Sequence, residues 1–494
     1  MRESGHSSTV RRVGRGILWV TVAQVAMIVG QFGLGAVTAR VFAPEVFGWY
    51  AAALSLQAIF VMATTTGVPS YVLMRPHLSH GDVARMRAWT AIAALVTAGA
   101  FWVVLPWWLE LLRAPGGVVF APVLAVAQCL TPPAALELAL VRRQRKSGAD
   151  AAIYGGAGLA GLIVAAVATI QTQAPQSLAA APLIAAFLTL PLALLAQGRG
   201  RRGDAVGPAL EPARKTVRYL AGVSGVNAVH FTITQIPTWV LSTTFGPRIL
   251  GFYSRATSLT STAASGVSTS LMRVVQPYWR DREPGPSLER ALSDALRVSS
   301  GIAISLFSVV AVLAPDFVAV WLGEGWEIAG RFAIPLALGA AAQVPFAVLT
   351  GAYEMKARLR AVRNAQVAML ALGGLGAAGA AAGLDSLAVV SIFAAMPWAG
   401  LLWLIARSGH TRGARLHIAD LGPSLWWAAI LAAASFAGSY AAHHFEVSVL
   451  GSTHLASLLA GGILAVAAAA LTIKRHPLAS VLRERRDSMT TSLD

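Results

Sequence analysis

The stretch 42-FAPEVFGWYAAALSL-56 returns without a gap as 245-FGPRILGFYSRATSL-259. Phe42, Pro44, Gly48, Tyr50, Ala53, Ser55 and Leu56 are matched by Phe245, Pro247, Gly251, Tyr253, Ala256, Ser258 and Leu259. In each copy a proline suits a short turn before a helix, and a glycine in the first helical turn admits a close neighbour. One difference stands out: Arg255 occupies the position held by Ala52 in the first copy.

Outward from the two copies the chain is apolar almost throughout. Of 494 residues 56% are hydrophobic and 12% charged, and the mean hydropathy is +0.63, values that mark an integral membrane protein. Apolar runs long enough to cross about 30 Å of hydrocarbon fall near 16–38, 47–73, 88–109, 118–141, 151–170, 178–197, 219–245, 249–272, 299–322, 332–352, 364–384, 386–406, 423–442 and 455–473. An all-α polytopic protein of about fourteen spans is therefore expected. The basic N-terminus followed by an apolar stretch reads as the first span, not as a cleaved signal, because the stretch is too long and many more follow.

The net charge of +17 invites a nucleic-acid reading, so its distribution decides. With fourteen spans the connections alternate between two faces. All but five of the 39 Lys and Arg then fall on the face that bears the N-terminus. Arg40, Arg113, Arg248 and Arg331 fall on the other, and Arg255 lies inside a span. The excess charge is thus a topology signal that places both termini in the cytoplasm and leaves no nucleic-acid partner. Arginine far outnumbers lysine, which with abundant Ala and Gly suggests a bacterial genome rich in GC and an inner-membrane location. The single cysteine, Cys129, excludes an intrachain disulfide and a cysteine-rich metal site.

Both copies of the motif follow an odd-numbered span and open an even-numbered one, so the repeat unit is six spans. An even number of crossings gives two halves of the same orientation, related by an axis along the membrane normal. The expected division is an N-lobe over 1–208, a C-lobe over 209–408, an extra helix pair over 409–475 and a cytoplasmic tail over 476–494.

A chain in which F-[AG]-P-x-x-[FL]-G-x-Y opens the second and the eighth span resembles the polysaccharide transport (Wzx-like) flippases of the multidrug, oligosaccharidyl-lipid and polysaccharide exporter superfamily. Ala39 to Leu56, ARVFAPEVFGWYAAALSL, carries most of the likeness. The resemblance implies two six-helix lobes around a cavity and movement of a lipid-linked oligosaccharide from the inner to the outer leaflet. Partner polymerases and glycosyltransferases of polysaccharide assembly would follow.

Helical spacing locates polar surface inside the bilayer. Arg255, Ser258, Thr262, Ser265 and Thr269 recur at intervals of three and four, forming one stripe. Asn227, His230, Thr234 and Thr238 do so in the preceding span, Thr21, Gln24, Gln31 and Thr38 in the first, and Tyr50, Gln57 and Thr64 in the second. Such residues line a route or bridge neighbouring helices. The substrate-binding candidates are Arg255, Ser258, Thr262, Asn227, His230, Gln24, Gln31 and Gln57. A cation at such depth faces a cavity or snorkels to headgroups; in a cavity its guanidinium suits a phosphate or pyrophosphate.

Glu137 reads as a paired interfacial carboxylate near Arg142 or as an ion-coupling group. Gly155, Gly156, Gly158 and Gly161 lack the Gly-Lys-Ser/Thr of a phosphate loop and read as packing residues. No catalytic group, metal site or cofactor is expected. The acids of the outer connections (Glu45, Glu110, Asp316, Glu324, Glu327, Asp385, Glu446) are scattered, and His443–His444 reads as a polar loop. Two alternatives stand beside the flippase. One is a small-molecule or multidrug exporter of the same superfamily, which would favour a carboxylate in the first span. The other is a membrane glycosyltransferase or polymerase, which would need catalytic acids in large outer loops.

Overall fold

The computed structural model describes residues 3–65, 71–72, 78–144, 147–198, 213–280, 286–355, 358–408 and 421–472; side chains are described from residue 22 onward, excepting 147, 213–227, 273–274, 276–280, 286–289 and 408. Helices make up nearly all of it, and no strand occurs among the described residues beyond the isolated bridge between Val449 and Ser452. The chain divides into two compact units, Met1–Gly251 and Phe252–Asp494.

In the first unit α1 (Glu3–Val41) packs on α5 (Ser147–Thr172). Next to α5 lies α6 (Ala180–Gln197), which also touches α4 (Ala121–Arg143); α2 (Pro44–Thr65) and α3 (His80–Leu111) close the group against α4. The glycine run of α5 explains how closely these helices approach. A Cβ added at Gly155 would lie 2.6 Å from the Ala23 Cβ, and one at Gly161 2.4 Å from the Ala181 carbonyl oxygen. Dispersion between such closely approaching backbones holds helices together where lipid offers no hydrophobic drive. Gly156 faces open space.

The start of α3 differs from the expected 88–109. Ser79 and Asp82 form a reciprocal capping box, each side chain accepting from the other's backbone N–H at 3.2 and 3.1 Å. Helix therefore begins at His80, and Arg85 and Arg87 stand on α3 instead of in a loop. The Pro132–Pro133 pair does not interrupt α4, which runs through both; helices within a bilayer tolerate proline where neighbours satisfy the freed carbonyls.

Residues 213–280 form α7 (Ala213–Arg280), divided at Gly246, whose φ of 82° and ψ of 177° are not helical. Proline at 247 disfavours helical geometry in the preceding residue, and only glycine enters that left-handed region cheaply. The second copy of the motif thus makes its break at one residue, where the first copy makes it between Val41 and Pro44.

In the second unit α8 (Pro286–Leu322) packs on α9 (Glu327–Met355), with α10 (Leu359–Ala381), α11 (Ser386–Ala394) and α12 (Met396–Ser408) beyond α9. The last pair, α13 (Gly422–His444) and α14 (Thr453–Thr472), lies against α8. Their common core joins Ala264, Ala303, Phe307, Ala337, Ala341 and Ala428, small residues set around one buried phenylalanine.

Eleven helical segments among the described residues are long and apolar enough to cross a membrane. The other three expected spans, near 219–245, 249–272 and 364–384, also fall on helix, in the two parts of α7 and in α10. They are less apolar because they carry polar residues: His230, Thr234 and Gln235, then Arg255 and its stripe, then Asn364 and Gln366. Bulky apolar side chains such as Trp107 and Trp426 are exposed on the helix exteriors, which suits a lipid environment.

Candidate functional site

The stripe of α7 after the break lies on one helical face. Arg255, Ser258 and Thr262 are half-buried, and Ser265 and Thr269 are exposed. The Ser258 hydroxyl donates to the Ser254 carbonyl at 2.8 Å and Ser265 to Thr262 at 3.0 Å. A hydroxyl that spends its proton on its own helix keeps two acceptor lone pairs. The face therefore offers acceptors beside a permanent cation, a surface suited to a group that carries both hydroxyl donors and negative charge.

Before the break, His230 and Thr234 are exposed and Thr238 half-buried, while the Asn227 side chain lies outside the described residues. Trp239, on the same helix, meets Trp108 edge to face at 5.9 Å. On α1 Gln24 is half-buried and Gln31 exposed; Thr38 is buried and donates to the Leu34 carbonyl at 2.7 Å, and Thr21 lies outside the described side chains. Gln57 stands elsewhere. It is buried, and its amide reaches the Leu124 carbonyl of α4 at 3.4 Å, so it bridges two helices of the first unit.

Glu137 is 3% exposed and has a partner the sequence did not suggest. Arg87 clamps it through two bonds, Nε to Oε1 at 2.6 Å and Nη2 to Oε2 at 2.8 Å. Gln197 adds a bond to Oε2 at 2.6 Å and one to the Glu137 carbonyl at 3.2 Å. The expected neighbour Arg142 pairs instead with Asp150 at 2.8 Å. The sequence signalled only that Arg87 is helical: the Ser79-x-x-Asp82 box extends α3 two turns before the apolar run, but it does not point to Glu137.

The repeated motif closes on itself. A Cβ on Gly48 would stand 1.8 Å from the Pro247 carbonyl oxygen, and one on Gly251 1.8 Å from that of Pro44. Glu45 and Arg248 hold equivalent positions in the two copies and pair with each other at 3.4 Å. Residue i meeting j while the equivalent of i meets the equivalent of j is the signature of a twofold contact. The glycines let the two turns touch, and the charge difference between the copies is complementary.

Residues 37–331 match the family described as "Polysaccharide biosynthesis protein". No curated protein matches. Among solved structures, the lipid II flippase MurJ in an inward closed conformation aligns over 93% of this chain and 99% of its own, with a TM-score of 0.71 at 11% identity. An inward-facing MATE multidrug resistance transporter of the MOP superfamily aligns over 94% and 99%, at 14% identity and a TM-score of 0.46. A MOP superfamily transporter from Pyrococcus furiosus covers 85% and 96%, at 13% identity and 0.47. The likeness to MurJ is one of fold, and the other two are too distant to add to it.

Proposed function

This chain belongs to the polysaccharide biosynthesis protein family, and from that premise we propose that it is a flippase for a polyprenyl-(pyro)phosphate-linked oligosaccharide. It carries the glycan from the cytoplasmic to the outer leaflet by alternating access, for export of cell-surface polysaccharide. The physical need is plain: a charged phosphate and a hydroxyl-rich sugar cannot cross hydrocarbon unaided, while the lipid tail can stay in the bilayer. The observation that carries the reading is the α7 stripe, in which Arg255 would hold the phosphate and Ser258 and Thr262 would meet sugar hydroxyls. Gln24, Gln31, Gln57, Asn227 and His230 are further candidates for contact with the substrate in this reading. Glu137 acts as an ion-coupling group only where its Arg87 clamp opens during the cycle.

The protein is a multi-pass membrane protein with a MurJ-like fold, which supports transport over enzymatic transfer. In this reading it lies in a bacterial inner membrane with both termini cytoplasmic, its lobes span 1–208 and 209–408, and residues 409–475 add the extra pair. Polymerase and glycosyltransferase partners are part of the same proposal. A small-molecule exporter is the second reading, but α1 carries no carboxylate from Ile17 to Val41. Deletion of the gene tests the choice. A flippase predicts a lipid-linked oligosaccharide accumulating on the cytoplasmic leaflet, with loss of surface polysaccharide; unchanged lipid-linked pools and normal surface glycan would refute it.

A further inference from the structure

Three helices of the second unit converge on one carboxylate. Asp316, on α8 directly after Pro315, is 6% exposed. His443 comes from the last turn of α13 and His454 from the first turn of α14, and both side chains are about half exposed, at 40% and 48%. His443 Nε2 lies 2.9 Å and His454 Nδ1 2.7 Å from the same oxygen, Asp316 Oδ1. The other oxygen, Oδ2, accepts from the hydroxyls of Ser439, at 3.1 Å, and Ser457.

We propose that Asp316 Oδ1, His443 Nε2 and His454 Nδ1 form a binding site for a divalent transition cation, Zn²⁺ by preference. The three atoms lie within 4.8 Å of one another. Two imidazoles and one carboxylate are an established donor set for zinc, and a three-ligand set leaves a fourth position for water. Bonds of about 2.1 Å in a tetrahedron separate ligand atoms by roughly 3.4 Å, so the rings of His443 and His454, now 2.9 and 2.7 Å from Oδ1, would draw back by about 0.5 and 0.7 Å and keep their own nitrogens within the present 4.8 Å of each other. The serines supply the outer shell: by holding Oδ2 they fix the carboxylate with Oδ1 turned toward the rings. Half-exposed histidines over a buried aspartate give the ion a path from water. Bound there, it ties the last helix pair to α8, a structural role separate from the glycan route of α7.

The sequence gives little warning of this site, since the histidines stand 127 and 138 residues from Asp316. It departs from the expectation of scattered outer acids, a polar His443–His444 loop and no metal. Only His443 of that pair faces Asp316; His444 stacks on Tyr440.

The test uses the full chain in detergent, purified through a tag without histidine, stripped with chelator and dialysed against Zn²⁺. One zinc per chain is expected. The double variant His443→Gln/His454→Gln, which keeps an amide donor beside Asp316 at each position, should bind at least about 100-fold more weakly, and Ser457→Ala about 10-fold more weakly. His444→Gln should bind as the unaltered protein does. Absence of stoichiometric zinc, or zinc retained undiminished by the double variant, overturns the proposal. If that variant fails to fold, X-ray absorption at the zinc edge of the unaltered protein decides: two imidazoles with oxygen ligands support the site, and any other imidazole count refutes it.

Discussion

Arg255 is a permanent cation on a helix whose neighbours are serine, threonine and alanine, and holding it within a membrane costs at least about 2.5–3.5 kcal/mol on insertion scales. If that cost is met by contact with an anionic head group, Arg255→Ala abolishes glycan export at normal membrane levels, while Arg255→Lys keeps the charge, loses the planar fork and retains part of the activity. Ser258→Asp, one turn along, repels the same phosphate and should impair export as well. Full export by well-expressed Arg255→Ala would instead mark a headgroup anchor. Glu137 is a charge held by two side chains, Arg87 and Gln197. Arg87→Ala leaves a buried carboxylate with Gln197 alone and should lower stability by about 2 kcal/mol, less than a fully buried pair because Arg87 is partly exposed. Glu137→Gln separates structure from coupling: retained glycan export in the folded variant assigns the pair to the scaffold, and a folded but inactive variant assigns it to coupling.

At the scale of the element, glycines of similar appearance do different things. Gly48 and Gly251 sit where two turns touch carbonyl to Cα, so an added methyl group meets backbone, which cannot swing aside. Gly48→Ala and Gly251→Ala should each sharply reduce the yield of folded protein. Gly156→Ala, on a helix with nothing within 4 Å, should be tolerated and should raise thermal stability slightly, since alanine is the better helix former by up to about 1 kcal/mol. Equal losses at all three positions, read by detergent-solubilised size-exclusion yield, would contradict the assignment of the motif to a twofold contact.

For the whole molecule the prediction is topology. With Cys129 replaced, single cysteines in the loops around Arg143, Arg202 and Arg358 should react only after the membrane is opened, and cysteines near Phe245 and Glu324 should react from outside. A basic loop labelled from the outside would break the alternation on which the six-span repeat rests. Cysteines placed just after Pro44 and just after Pro247 should likewise both react from outside, as the parallel repeat requires; labelling of the two from opposite faces would refute it.

The helical membrane class, most span positions and the repeated turn were legible in the chain itself, because they depend on quantities local in sequence: apolar length, the period of a helix, a proline followed by a glycine. The stripe from Arg255 to Thr269 belongs with these, since residues three and four apart share a face whatever surrounds them. Partnerships were not legible. Glu137 bonds Arg87, 50 residues away, instead of the nearby Arg142, and the Gln57 amide reaches the Leu124 carbonyl of α4, 67 residues away. Asp316 gathers histidines from two later helices, and Glu45 finds Arg248 in the other copy of its own motif. Within a low-dielectric interior a polar group must be satisfied by whatever donor the packing brings to it. Which donor that is depends on helix contacts across long stretches of chain, and only the tertiary structure decides them.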